Sequence, residues 1–151
     1  FATNFRLLGE YVEAELNYKR ALEIYKINDL TAKIAECIND LALNFSCQGK
    51  YLEAEELYSS ALKKRRNILG ENHIDVAETL NNLASLLNMQ GKYSEAENIF
   101  KKSLDIYTEN LGENAPQRFA SLNNLAYCLS LQKKYGVAEK KYKDALCLAE
   151  K

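Results

Sequence analysis

The sequence contains few of the residues that interrupt helices or build catalytic and metal sites. Of its 151 residues one is proline, six are glycine and one is histidine, and tryptophan is absent. So little proline and glycine favours a chain dominated by helices. The net charge of −1 gives no general attraction to nucleic acid or to an anionic membrane. Because neither a run of about 18 apolar residues nor a signal sequence is present, we expect a cytoplasmic protein with no membrane partner.

The four cysteines form no metal-binding or disulfide pattern. Cys37, Cys47, Cys128 and Cys147 include no CxxC spacing, and each falls inside a helical pattern. A free cysteine in such a place behaves as a small hydrophobic residue. We therefore expect no disulfide, no metal site and a reducing compartment.

No catalytic constellation is apparent. The single histidine, His73, has no cluster of cysteine or acidic residues at ligand spacing. The sequence also has neither a Ser-centred elbow nor a phosphate-binding Gly loop. We expect His73 to cap or pack a helix, and we expect no enzymatic activity and no cofactor.

What the sequence contains instead is a unit that recurs along the chain. Its most visible part is a three-residue motif that ends in tyrosine. The copies are Gly9-Glu10-Tyr11, Gly49-Lys50-Tyr51, Gly91-Lys92-Tyr93 and Lys133-Lys134-Tyr135. The last three copies follow one another at 42 residues, and the first precedes the second by 40.

Each unit has the apolar periodicity of two helices joined by a tight turn. In the third unit, Leu80, Leu83 and Leu87 share one face of a 3.6-residue helix before Gly91. A second apolar face, which includes Phe100, follows the turn. A single helix pair cannot bury its apolar face alone, so copies must stack. We therefore predict an all-α fold, a right-handed α-solenoid of antiparallel helix pairs.

The repetition divides the chain into one partial and three full repeats. The predicted bounds are 1–27 for the partial repeat, followed by 28–69, 70–111 and 112–151. Phe1 to Leu8 has the pattern of the end of a first helix, and no polar helix covers the last repeat. We expect a single array that is a piece of a longer protein, or one whose uncovered terminal helices meet a partner such as a second copy.

Capping residues and one charge run occur between and within the repeats. We expect Asn28-Asp29, Asn72 and Asn114 to cap the helices that follow them. Pro116 falls in the first turn of a helix, where its missing N–H costs nothing. The run Lys63-Lys64-Arg65-Arg66 points around the whole helix, so we expect a solvated helix end; an acidic partner or nucleic acid is the alternative.

Taken together, these features resemble the tetratricopeptide repeat. The likeness rests on Leu-Ala in the first helix of each pair, Gly-x-Tyr-x-x-Ala at the turn and an aromatic residue in the second helix. The usual repeat has ~34 residues, whereas the 42-residue period with its Leu-Gly-Glu-Asn linker resembles the kinesin light chain class. The chain departs from that class in lacking tryptophan and in dividing the usual His-Pro between His73 and Pro116. The resemblance implies a superhelix whose first helices line a concave groove.

A second stripe runs along the first helix of each repeat, beside the Leu-Ala stripe. It comprises Asn39, Leu43 and Ser46, then Asn81, Ser85 and Asn88, then Asn123, Tyr127 and Ser130. The resemblance implies that the stripe faces the groove and that its asparagines contact the backbone of a bound peptide. A carboxamide both donates and accepts, which suits a peptide backbone. The alternative is that Asn39, Asn81 and Asn123 tie neighbouring helices together.

From these observations we predict a scaffold that binds a peptide segment of a partner protein in its groove. A kinesin light chain-like cargo adaptor is the specific form of this hypothesis. The basic groove residues that recognise acidic peptides or a C-terminal carboxylate have no counterpart in this chain. The alternatives are a structural spacer or self-assembly domain, and a regulatory module of a larger protein.

Overall fold

A computed structural model describes residues 10–149, and helices occupy most of this span. We number them in chain order as α1 (Tyr11–Ile27), α2 (Thr31–Cys47), α3 (Tyr51–Leu69), α4 (Ile74–Met89), α5 (Tyr93–Leu111), α6 (Pro116–Leu131) and α7 (Tyr135–Ala149). No strand occurs between residues 10 and 149. None of these helices combines the length and the apolar character needed to cross a membrane. The helix end predicted for Phe1 to Leu8 lies outside the described residues.

The chain divides into two compact units, with the division between Gly70 and Glu71. In the first unit, α2 packs against both α1 and α3. In the second unit, each helix from α4 to α7 packs against the next, and α4 also touches α6. The helices α2, α4 and α6 are the first helices of the three full repeats.

Each turn between paired helices contains one residue with a left-handed backbone. Gly49 and Gly91 have φ angles of 76° and 78°, and Lys133 holds 61° at the third turn. Glycine adopts this conformation without steric cost, whereas a residue with a Cβ atom is strained there. The turn at Gly91 closes with a 2.9 Å hydrogen bond from the amide of Lys92 to the carbonyl of Leu87.

The second unit has one continuous apolar core. It is built from Ala84, Leu87, Ala96, Phe100, Leu125, Cys128, Leu129 and Ala138. Phe100 is completely buried, and burial of such a side chain contributes about 1.5–3 kcal/mol. The hydroxyl of Ser103 donates a 2.7 Å hydrogen bond to the carbonyl of Ala77, which joins α5 to α4. The periodicity around Gly91 therefore predicted this helix pair correctly.

The predicted asparagine caps are wrong. His73, the residue after Asn72, precedes α4, and its Nδ1 accepts a 3.1 Å hydrogen bond from the backbone amide two residues on. Ala115, the residue after Asn114, precedes α6 and forms no side-chain cap. Asn28 instead donates from Nδ2 to a carbonyl four residues earlier in α1. The linkers take one residue more than expected before the helix begins, so the asparagines lie outside the cap position.

The basic run in α3 is only partly solvated. Lys63 is exposed and Lys64 and Arg66 are half-buried, but only 5% of Arg65 is exposed. The prediction of a solvated helix end is therefore wrong for Arg65. The helical period that spreads four consecutive side chains around α3 turns one of them inward. Pro116, in contrast, begins α6 as predicted.

Candidate functional site

In the first unit most of the predicted stripe is inaccessible. Asn39 and Ser46 are 2% and 5% exposed, and Leu43 is half-buried. The hydroxyl of Ser46 donates a 2.9 Å hydrogen bond to the carbonyl of Ala42 within the same helix. In these positions neither Asn39 nor Ser46 presents its side chain to a ligand, so we remove both from the candidate site.

Asn81 joins two helices of the second unit. Its Oδ1 accepts hydrogen bonds from Oγ of Ser121 at 3.3 Å and from Nδ2 of Asn124 at 3.4 Å, which links α4 to α6. Its backbone carbonyl accepts a 3.0 Å hydrogen bond from the hydroxyl of Ser85. At this position the structure favours the alternative interpretation, in which the asparagine ties neighbouring helices.

The last repeat carries the most open part of the stripe. Asn123 is exposed, and 53% of Tyr127 is accessible to solvent. Ser130 is half-buried, and its hydroxyl donates to the carbonyl of Tyr127 at 2.7 Å. The asparagines at this repeat position thus differ in burial: Asn39 is buried, Asn81 is half-buried and Asn123 is exposed.

Three residues of the predicted stripe meet at a pocket of about 340 Å³ in the second unit. The pocket lies between the first helices of consecutive repeats. Its lining consists of Ser85, Asn88 and Met89 of α4, Tyr93 of α5, and Asn124, Tyr127 and Leu131 of α6. Five of these side chains are polar and uncharged or amphipathic, and none carries a charge. We call this feature the α4–α6 pocket.

Asn88 supplies an unsatisfied acceptor at the α4–α6 pocket. Asn88 is 9% exposed, and its Oδ1 has no hydrogen-bond partner within the described residues. An unpaired buried polar atom costs about 1–3 kcal/mol. A ligand that donates a hydrogen bond to this oxygen would remove that cost.

The sequence did not indicate two of the lining residues, Asn124 and Tyr93. Asn124 lies one position beyond the predicted stripe, and Tyr93 belongs to the second helix of the pair. A signal for Asn124 was present, because the doublet Asn123-Asn124 repeats Asn81-Asn82. Tyr93 occurs in the repeated turn motif, but the motif does not show which way its side chain points.

An ion-pair cluster joins α5 to the turn before α7. The carboxylate of Glu97 lies 2.6 Å from Nζ of Lys101 and 2.7 Å from Nζ of Lys134, and it accepts a 2.9 Å hydrogen bond from Gln132. The hydrogen bonds from Lys101 and Lys134 lower the pKa of Glu97 to about 2. Glu15 in the first unit has the same arrangement, with lysines on α1 and at the α2–α3 turn.

Antiparallel helix pairs whose turn motifs recur every 40 to 42 residues define a protein of helical repeats, and residues of consecutive first helices meet at a pocket. The chain belongs to the tetratricopeptide repeat family, which matches residues 31–109 and again residues 75–151. No protein in the curated set of sequences matches the chain. Between residues 10 and 149, no group of three His, Cys, Asp or Glu side chains is arranged to hold a metal ion.

Solved structures of similar fold include proteins related to kinesin light chain. BtubC (BKLC) from P. vanneervenii is 24% identical with a TM-score of 0.86, over 99% of this chain and 60% of that one. A P. anserina putative kinesin light chain with nearly identical TPR-like repeats is 19% identical with a TM-score of 0.78, over 97% and 70%. Rap protein, complexed with Competence and Sporulation Factor, is 23% identical with a TM-score of 0.88, over 99% and 40%.

These similarities to solved structures establish the fold of the chain alone. They confirm the predicted all-α, tetratricopeptide-like architecture and the resemblance to kinesin light chain-like repeats. The chain spans about three fifths of BtubC and two fifths of Rap protein.

Proposed function

We propose that this chain is a non-enzymatic interaction domain that holds an extended segment of a partner protein against α4 and α6. The observation that carries the proposal is the α4–α6 pocket, where Ser85, Asn88 and Tyr127 converge. Its apolar walls and its unsatisfied Asn88 oxygen suit a peptide, which offers both side chains and backbone N–H groups. Rap protein, a structural neighbour, was solved in complex with Competence and Sporulation Factor, which supports ligand binding by this fold.

The affinity of such a site comes from several modest contacts. A neutral hydrogen bond contributes about 1 kcal/mol, and an extended segment loses conformational freedom when it binds. We therefore expect dissociation constants of roughly micromolar size. Within this function, a kinesin light chain-like cargo adaptor is the specific role that we propose. Its cargo would differ from acidic peptides, because no charged side chain lines the pocket.

The test selects binders from a phage-displayed library of random 12-residue peptides on the immobilised chain. The converged peptides are then measured by fluorescence anisotropy against the wild type and against Tyr127→Ala. We expect Tyr127→Ala to weaken binding by about tenfold, because a half-exposed aromatic wall of the pocket is removed. Leu52→Ala is the matched control, since Leu52 is an exposed apolar residue of α3 outside the pocket. Failure to select any peptide, or equal binding by wild type and Tyr127→Ala, would refute the proposal.

The self-assembly alternative has one observation in its favour. Tyr142 and Leu146 on α7 are 39% and 57% exposed, and they border a second pocket of about 330 Å³. They occupy the repeat positions of Phe100 and Leu104, which pack into the core of the second unit. A second copy of the chain is the occupant that this alternative requires. Light scattering at high concentration tests it: a monomer excludes the alternative, whereas a dimer that Leu146→Asp dissociates supports it.

A further inference from the structure

Building on the proposed function, we infer that the α4–α6 pocket selects an uncharged peptide segment that donates N–H groups and inserts one large apolar side chain. Three properties of the pocket lead to this ligand class: the polarity of its hydrogen-bonding atoms, the character and size of its walls, and its lack of charge. Each is set by residues of the second unit alone.

The pocket offers three oxygen acceptors, and Asn81 orients two of the side chains that carry them. The hydroxyl of Ser85 donates its proton to the backbone carbonyl of Asn81, so its oxygen remains able to accept. Nδ2 of Asn124 uses one of its two N–H groups on Oδ1 of Asn81, and Oδ1 of Asn124 remains able to accept. Oδ1 of Asn88 is unsatisfied within the described residues. Asn81 thereby acts as a positioning residue that sets two of the three acceptors.

A ligand that matches these atoms must donate hydrogen bonds. Backbone N–H groups, a carboxamide or an indole N–H meet this requirement. The hydroxyls of Tyr93 and Tyr127 can donate or accept, so they do not reverse the preference. A carboxylate, in contrast, offers only acceptors, so it finds no partner in the oxygens of Ser85, Asn88 and Asn124 and would depend on the tyrosine hydroxyls and the remaining amide N–H groups for a donor.

The walls favour one large apolar side chain. Met89 and Tyr127 are 57% and 53% exposed, and Leu131 and Tyr93 close the pocket behind them. Methionine is flexible and polarizable, so it adapts to aromatic and branched side chains alike. The volume of about 340 Å³ lies near the lower end of ligand pockets, about 300–1,000 Å³. It therefore holds a single side chain with its adjoining backbone rather than a whole helix.

The absence of charge on the lining residues gives the pocket its selectivity. A buried charge without a partner is strongly unfavourable, so a segment with Asp, Glu, Lys or Arg at the inserted position is rejected. Lys101 and Lys134 of the second unit do not line the pocket, and both pair with Glu97.

The experiment compares selections from the same peptide library on three versions of the chain. On the wild type, we expect the converged peptides to carry an aromatic residue, Leu or Met at one fixed position and no acidic residue next to it. On Met89→Lys, which places a cation at the exposed rim, we expect Asp or Glu to become enriched beside the apolar position. Leu52→Lys adds the same charge to an exposed apolar site of the first unit and should select the same peptides as the wild type.

A second measurement tests the donor requirement directly. In the best wild-type peptide, each backbone amide in turn is N-methylated, which removes one N–H without changing charge. We expect methylation next to the apolar residue to weaken binding by about tenfold and methylation at the peptide ends to have little effect.

The outcomes separate this inference from the proposed function. Peptides that depend on Tyr127 but are acidic, or that tolerate every N-methylation, overturn the selectivity while leaving a peptide-binding domain. Unchanged peptide sequences on Met89→Lys also overturn it. If no peptide is selected, or none depends on Tyr127, both the function and its selectivity are overturned.

Discussion

Glu97 and Lys134 form a 2.7 Å ion pair that fastens the middle of the second unit to the turn before α7. Only 12% of the Glu97 side chain is accessible, and Lys101 and Gln132 bind the same carboxylate. The same repeat position in α7 holds Glu139, which pairs with Lys143 and is 67% accessible. Two glutamates at one repeat position therefore have very different surroundings.

We predict that Glu97→Gln destabilises the chain and that Glu139→Gln does not. A carboxylate held by two cations and an amide is worth roughly 1–3 kcal/mol, whereas solvent screens the exposed pair of Glu139 and Lys143. Urea unfolding followed by circular dichroism measures both free energies of unfolding. Equal losses in the two variants would contradict the assigned role of the Glu97 cluster.

Low pH should lower the free energy of unfolding by protonating Glu97. The pKa of Glu97 is about 2 in the folded chain, below its ordinary value of 4.5, because Lys101 and Lys134 favour the charged form. Its stabilising contribution is therefore complete above about pH 4.5 and is lost as the pH falls towards 2. Burial tends to raise the pKa of Glu15, but hydrogen bonds from two lysines outweigh it and lower that pKa as well.

Unfolding free energies at pH 7 and pH 3 provide the measurement. We expect the wild type to lose more stability between these two values than Glu97→Gln does, since the variant has no carboxylate to protonate at that position. An NMR titration in which Glu97 protonates near pH 4.5 would show that the ion pairs do not hold its charge.

Asn81 and Asn123 should respond differently to removal of their side chains. Asn81→Ala removes the acceptor of Ser121 and Asn124, so we expect a loss of about 1–2 kcal/mol in the free energy of unfolding. Asn123 is exposed, and Asn123→Ala should change stability by less than about 0.5 kcal/mol. Thermal unfolding of the two single variants distinguishes these cases. A stable Asn81→Ala variant would restore the original hypothesis that this side chain serves only a ligand.

The four cysteines should fall into two reactivity classes. Cys47 and Cys147 are exposed, whereas Cys37 and Cys128 are buried. Burial, with smaller contributions from Asp40 and Glu36, raises the pKa of Cys37 to about 11. Because the thiolate is the reactive form, a disulfide reagent at pH 8 should modify two thiols quickly and the others only after unfolding. Mass spectrometry after brief labelling identifies them, and early modification of Cys37 would contradict its buried position.

The helices could be predicted from the sequence because apolar periodicity and turn residues are local signals. The bounds of α3, for example, follow from Tyr51 after the Gly49 turn and from Gly70 at its end. The capping role of His73 was among the predictions, but the asparagine caps were wrong, because a shift of one residue in the linker transfers the role from Asn72 to His73. The burial of Arg65 could not be predicted either, because the sequence does not show which of the four cations in the run packs against neighbouring residues.

The candidate site was predictable only in part. Three residues of the predicted stripe, Ser85, Asn88 and Tyr127, line the α4–α6 pocket, because helical spacing fixes which residues share a face. It could not show that Asn81 turns its oxygen towards Ser121, because that contact crosses between helices forty residues apart in sequence. Hydrogen bonding between repeats therefore decides which members of a stripe remain available to a ligand.

The asparagine that recurs at Asn39, Asn81 and Asn123 passes from a buried to an exposed environment along the array. Duplication of a repeat copies the asparagine, but the residues around each copy determine whether its side chain is buried or exposed. Selection on this position therefore acts separately in each copy: it is tightest where the amide is enclosed and loosest where it meets water. New binding specificities can arise at the Asn123 end without endangering the folding of the rest.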